Sequence, residues 1–222
     1  MKDVEKIPLE EFLNDIQQEP KNGALYCNLG RALYVHKKDN IKLLNGTTMT
    51  EEQLYLKAID LEPNFADAYI NLKTILSSGE SIKLLNNTTM TEQQLLIKAI
   101  DLEPNYARAY RNLGATLSSG ESIKLLNNTT MTKQQLYLKA IDLDSNNASA
   151  YRNLGWDLTK GGSIKLLNGK TMTQKQLYLK AIDLDPNYAS AYNNLGKTLY
   201  SGGSIKLLNG KLVTQEWLIS KE

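Results

Sequence analysis

Apolar residues recur at intervals of three and four along two stretches of each repeating unit. In the unit from Ser145 to Pro186, the first stretch places Tyr151, Leu154 and Leu158 on one stripe, the pattern of an amphipathic helix. The stripe returns at Tyr26/Leu29/Leu33, Tyr69/Leu72/Leu76, Tyr110/Leu113/Leu117 and Tyr192/Leu195/Leu199. Beside the middle leucine lies Gly30, Gly114, Gly155 or Gly196, where a missing side chain lets a neighbouring helix come close. The second copy has Lys73 there instead. We call this predicted helix A. A second helical stretch, helix B, runs through Leu-x-x-Lys-Ala-Ile-Asp-Leu.

Start and stop signals frame both helices. Helix A ends at Ser78-Gly79, Ser119-Gly120, Gly161-Gly162 and Gly202-Gly203, which are turn punctuation. Helix B opens on Thr50/Gln53, Thr91/Gln94, Thr132/Gln135 and Thr173/Gln176. Threonine followed by glutamine three residues later is a capping box, and the Met before with the Leu four after forms a hydrophobic staple. The helix stops before Pro63, Pro104 or Pro186, because proline restricts the residue ahead of it. Between helices A and B runs Ile-Lys-Leu-Leu-Asn followed by Gly or Asn. Asn45-Gly46, Asn168-Gly169 and Asn209-Gly210 predict a hairpin with a two-residue type I′ turn. Asn86-Asn87 and Asn127-Asn128 reach the left-handed region too. The hairpins should stay separate, since packed helices lie about 8–10 Å apart and paired strands about 4.8 Å.

The phrase Lys-Ala-Ile-Asp starts at Lys57, Lys98, Lys139 and Lys180, a fixed period of 41 residues. A period in this range marks a repeat array, in which each unit needs its neighbours to bury its apolar face. The expected organisation is one array over 1–222: a capping helix at 8–20, then repeats at 22–63, 64–104, 105–145, 146–186 and 187–222. The second helix of the last repeat is truncated. The fold class is therefore an all-α helical-repeat solenoid with a short β-hairpin or loop insert per repeat.

Composition narrows the function classes. The formal net charge is +2 over 222 residues, too even to favour nucleic acid. No apolar run nears the length of a membrane span, and no membrane partner is expected. The lone Cys27 fits a reducing, cytoplasmic compartment. His36 stands alone, and no phosphate loop, metal-ligand spacing or nucleophile elbow occurs. No catalytic residue, metal or cofactor is expected, and the chain does not read as an enzyme.

The helix pairs resemble the tetratricopeptide repeat family, whose unit has about 34 residues with an aromatic, Leu-Gly, Ala and Pro at fixed places. Tyr110, Leu113-Gly114, Ala140 and Pro186 match those places, and Tyr55, Tyr137 and Tyr178 match the helix B aromatic, with Leu96 replacing it once. The family's small residue early in helix B is polar here, as at Lys133 and Gln174, so looser packing is expected at the inserted end. The resemblance implies a right-handed superhelix whose concave groove, lined by helix A, holds peptides.

At about 100° per residue, the positions two before, one after, two after and five after the tyrosine face away from the stripe. Two after it, every copy has asparagine: Asn28, Asn71, Asn112, Asn153 and Asn194. An amide offers donors and an acceptor to a peptide backbone, and the ladder is similar to that of protein O-GlcNAc transferase. The remaining positions vary. Arg108, Arg111 and Arg152 form a basic patch with Lys197 nearby, suited to carboxylates, and Trp156 beside Arg152 is a candidate hot spot. The leading expectation is a scaffold that binds an extended, acidic peptide or protein in its groove. The alternatives are an assembly module working through its repeated hairpins, or the targeting arm of a larger enzyme or host-directed effector. Arrays with such inserts look like those of bacteria living inside eukaryotic cells, which would place the protein in a host cytosol.

Overall fold

The computed structural model describes residues 7–77 and 79–221. Ser78, part of one predicted stop signal, lies outside them. The chain divides into two compact units, Met1–Pro104 and Asn105–Glu222. The first holds α1 (Leu9–Gln18), α2 (Gly23–Val35), β1 (Asn40–Lys42), β2 (Thr48–Thr50) and α3 (Glu51–Leu61). It continues with α4 (Ala66–Thr74), β3 (Ser81–Lys83), β4 (Thr89–Thr91) and α5 (Glu92–Leu102). The second opens with α6 (Ala107–Ala115), β5 (Ser122–Lys124), β6 (Thr130–Thr132), α7 (Lys133–Leu143) and α8 (Ala148–Asp157). It closes with β7 (Ser163–Lys165), β8 (Thr171–Thr173), α9 (Gln174–Leu184), α10 (Ala189–Lys197), β9 (Ser204–Lys206), β10 (Leu212–Thr214) and α11 (Gln215–Ile219).

Each helix packs on its chain neighbours within its unit: α2 on α3 and α4 on α5 in the first, α6 on α7, α8 on α9 and α10 on α11 in the second. The capping boxes form in all four copies. At α7, for example, the Gln135 amide donates to Thr132 Oγ1 at 3.2 Å while Thr132 N donates to Gln135 Oε1 at 2.8 Å. Helix α11 keeps only half of this cap: the Trp217 amide reaches Thr214 Oγ1, but an indole offers no acceptor to return the bond.

The core within a repeat is set by one close contact. A Cβ built on Gly30, Gly114 or Gly155 would lie 2.6, 2.7 or 2.8 Å from a ring carbon of Tyr55, Tyr137 or Tyr178. Helix A therefore needs glycine because helix B brings a tyrosine ring close against its backbone. The second repeat breaks both halves of this arrangement together, having Lys73 in the glycine register and Leu96 in the tyrosine register. Lys73 turns outward to Glu92 at 2.7 Å. A second bond ties successive repeats: Tyr26, Tyr69 and Tyr192 donate their hydroxyls to the carbonyls of Pro20, Pro63 and Pro186 at 3.1, 2.9 and 3.1 Å.

In the last four copies helix A is shorter than its apolar stripe, whereas α2 (Gly23–Val35) still contains Leu33. The last leucine of the stripe lies beyond the helix, as Leu158 does after α8 and Leu117 after α6. In the last three copies a polar residue that opens helix B binds the carbonyls at this end. Gln174 Nε2 donates to Gly155 O and Leu158 O, both at 3.0 Å. Gln215 Nε2 reaches Gly196 O and Leu199 O, and Lys133 Nζ reaches Leu117 O at 2.7 Å. These side chains satisfy orphan carbonyls at the helix A terminus. The expected loosening at the inserted end is replaced by a hydrogen-bonded clamp.

Among the described residues the inserts are five separate two-stranded hairpins. Their turns differ from the predicted type I′. Gly46 N donates to Leu43 O at 2.9 Å, so Leu44 and Asn45 are the turn corners and Gly46 follows them at φ +87°. Asn87 and Asn128 take that third place at φ 67° and 66°. This is the three-residue loop in which one residue in the left-handed region forms a bulge. The asparagine before it is held otherwise: Asn45 Oδ1 accepts from Thr47 N at 3.0 Å, fixing it as a local turn acceptor. The buried leucines Leu43, Leu84, Leu125, Leu166 and Leu207 attach the hairpins to the core.

Two consequences are measurable by urea unfolding. Gly114→Ala should cost about 1–3 kcal/mol, the usual range for overpacking. Adding Tyr137→Leu should recover part of it, as the Lys73/Leu96 pair implies; strict additivity of the two changes would refute the contact. Gln174→Leu should cost about 1–3 kcal/mol, because Gly155 O and Leu158 O lose their donor in a buried setting. An unchanged midpoint would remove the carbonyl clamp from the account.

Candidate functional site

The asparagine register is only partly open. Asn28, Asn112 and Asn153 are half-buried, whereas Asn71 and Asn194 are buried. Asn71 Nδ2 donates to Cys27 Sγ at 3.2 Å, and Asn153 Oδ1 accepts from Arg152 Nη1 at 3.0 Å. Among the described residues, Asn194 Nδ2 is buried with no acceptor. Asn28 and Asn71 belong to the first unit and the other three to the second.

The register one residue after the tyrosine is not the open groove position that a 100° projection suggests. Cys27, Ile70 and Asn193 occupy it at 1%, 0% and 6% exposure. The helix faces a neighbouring repeat there, so this angle belongs to the interface between repeats. In the third and fourth copies the same register holds Arg111 and Arg152, both half-buried. Their Nε atoms are buried and, among the described residues, have no hydrogen-bond partner. Burial pushes the Arg111 guanidinium below its usual range, and the Arg108 charge adds to this while Tyr188 and Tyr137 oppose it.

The same guanidiniums reach further groups. Burial raises the Tyr137 hydroxyl to about 12, Asp157 reinforces the rise, and Arg111 and Arg152 pull against it. Tyr178 is likewise raised to about 12 by burial, with Arg152 opposing. Arg108, Arg111 and Arg152 thus share one electrostatic neighbourhood in the second unit. Asp157 also acts on Tyr137: its side chain is 3% exposed, its Oδ1 lies 4.0 Å from Lys133 Nζ, and its buried Oδ2 has no hydrogen-bond partner among the described residues.

Trp156 stands out of the helix surface at 57% exposure, with the Arg152 guanidinium 5.7 Å from its ring centroid. A cavity of about 190 Å³ opens at its side, lined by Lys160, Gln174, Tyr178, Asn194, Lys197 and Thr198. It brings together three of the sequence candidates: Trp156, Asn194 and the exposed Lys197. Arg152 joins them through the indole. Lys160, Gln174, Tyr178 and Thr198 were not candidates for the site from sequence, although Tyr178 was read as the helix B aromatic. Gln174 was visible only as a departure from the family pattern, and the other three become neighbours through packing of consecutive repeats. Among the described residues no cluster of three or more His, Cys, Asp or Glu is placed to hold a metal. No described helix is long and apolar enough to cross a membrane.

A family profile described as "TPR repeat" matches residues 176–203. No curated protein matches the chain. Among solved structures, YrrB, described as a tetratricopeptide-repeat protein with an unusual peptide-binding site, aligns with TM-score 0.50 at 18% identity, over 86% of this chain and 83% of that one. MamA aligns with TM-score 0.46 at 20% identity, over 81% of each chain. The profile match falls on the α9–α10 pair, whose Tyr178 and Gly196 registers recur in most of the other copies, and the chain is similar in fold to tetratricopeptide-repeat proteins.

Proposed function

We propose that the protein is a protein–protein interaction scaffold whose second unit binds an extended acidic segment along helices α6, α8 and α10. The observation that carries this reading is the pair Arg111 and Arg152. Both sit in a register that other copies fill with buried or apolar groups, and both keep a buried Nε without an acceptor. A half-buried guanidinium is stabilised by a planar anion that accepts from its fork. Asp157 places its Oδ1 4.0 Å from Lys133 Nζ, and neither its buried Oδ2 nor the two Nε atoms have a hydrogen-bond partner among the described residues. A ligand carboxylate fills the missing role.

Trp156 and the cavity beside it supply an apolar anchor next to that charge, the combination in which hot spots concentrate. Asn112, Asn153 and Asn194 recur at one per repeat, and Asn194 Nδ2 adds a buried donor in need of an acceptor. Such donors suit the carbonyls of an extended peptide. Asn28 and Asn71 continue the register in the first unit. YrrB, of similar fold, is described as having a peptide-binding site. The reading involves no catalysis and no cofactor.

A fluorescein-labelled oligoglutamate peptide, with oligolysine as control, tests this by anisotropy. The wild type should bind the acidic probe and not the basic one. Replacing Arg108, Arg111 and Arg152 with glutamate should weaken binding by about 100-fold or more, since loss of a desolvated charge pair costs about 2–5 kcal/mol. Trp156→Ala should weaken it while leaving stability within about 0.5 kcal/mol, as for exposed positions. Equal affinity of wild type and the arginine variant would end the proposal.

A further inference from the structure

Each hairpin carries one leucine that the fold does not use. The leucine preceding the turn corner is buried in every copy, yet the corner leucines Leu44, Leu85, Leu126, Leu167 and Leu208 are 52–59% exposed. Turn corners ordinarily take Asn, Asp, Ser, Gly or Pro, and the bulged loop here needs no apolar side chain at that place. Lysine accompanies each one: Lys42, Lys83, Lys124, Lys165 and Lys206 are exposed on the strand leading to the corner. The last two hairpins add exposed Lys170 and Lys211, and the last adds Leu212 at 69% exposure. No acidic residue occurs within any of the segments 40–50, 81–91, 122–132, 163–173 or 204–214.

We propose that the hairpin edge of the second unit, led by Leu126, Leu167 and Leu208, docks on an anionic lipid surface. Within that unit all three hairpins connect the end of helix A to the start of helix B, so they lie along one edge of the helix stack. Leucines flanked by lysines match a surface with an apolar interior and a negative face. The charge pattern disfavours a second copy on the same edge, because self-association would set lysine against lysine without a carboxylate between.

The repetition also favours lipid over a folded partner. The groove positions differ from copy to copy: Arg108, Ser149 and Ser190 share one register, as do Ala115, Trp156 and Lys197. A folded partner presents different groups at each rung and selects such differences. A bilayer presents the same groups everywhere, and the same Lys and Leu at every tip fit it. The expectation that no membrane is involved rested on the absence of a spanning segment. Docking at a surface requires none.

Cosedimentation of the full chain with phosphatidylcholine vesicles, and with vesicles of phosphatidylcholine and phosphatidylserine in equal amounts, tests the proposal. The wild type should bind the mixed vesicles, bind the neutral ones weakly, and release as salt rises. The triple variant Leu126→Ser, Leu167→Ser, Leu208→Ser should lose roughly tenfold or more in partitioning, with its urea midpoint unchanged because these side chains are exposed. The variant with Arg108, Arg111 and Arg152 replaced by glutamine should retain vesicle binding, which separates this edge from the groove. Three results would each overturn the proposal. One is absence of binding to the mixed vesicles, and another is wild-type binding by the leucine variant. The third is a leucine variant that loses only self-association in analytical ultracentrifugation.

Discussion

The rest of the repeat depends on how closely helix A approaches helix B. A tyrosine ring lies on bare backbone at Gly30, Gly114 and Gly155, with no room for a methyl group. That contact fixes the separation of the two helices. It also brings the start of helix B within reach of the helix A terminus, where Gln174 or Lys133 can take its last carbonyls. The hairpin then closes a gap whose ends are already set. The second repeat shows that the contact is a pairing rather than two preferences: where glycine becomes Lys73, tyrosine becomes Leu96. In the last repeat the partner is Ile219, whose Cγ1 would lie 2.9 Å from a Cβ on Gly196.

Much of this was legible in the sequence because it is local. Capping threonines, terminating prolines and the stripe period are each read within a few residues, and their positions agree with the observed helices. The features that escaped are those that depend on a partner distant in sequence. The glycine and tyrosine registers were both visible, yet their mutual contact was not, since it joins positions 23 residues apart at Gly114 and Gly155, and 25 apart at Gly30. The turn type was missed for a local reason. Asn-Gly suggests two consecutive left-handed residues, but Asn45 uses its side chain to hold the Thr47 amide and leaves the left-handed place to Gly46 alone.

The candidate site divides in the same way. Residue types were readable, and Trp156 is exposed beside Arg152 as its spacing suggested. Angular projection failed for the register after the tyrosine, because it treats a helix as facing either core or solvent. In a repeat array, a third direction faces the next repeat. Cys27 and Ile70 show what that direction ordinarily holds. Arg111 and Arg152 are informative only against that background.

A buried guanidinium Nε without an acceptor is unfavourable, and repeat architecture explains how the chain tolerates those of Arg111 and Arg152. Stability in such arrays is approximately a sum of repeat and interface terms, so a locally costly interface is held by favourable neighbours. In the second unit the neighbours are well supplied: full capping boxes at α7 and α9, and tyrosine–glycine contacts at Gly114 and Gly155. The positions that repeat without change hold the helices together, and that surplus permits the varied positions to keep donors unsatisfied. The hairpin tips are the exception to this division. Their corner leucines repeat without change and yet stay more than half exposed, which is why their role is sought outside the molecule.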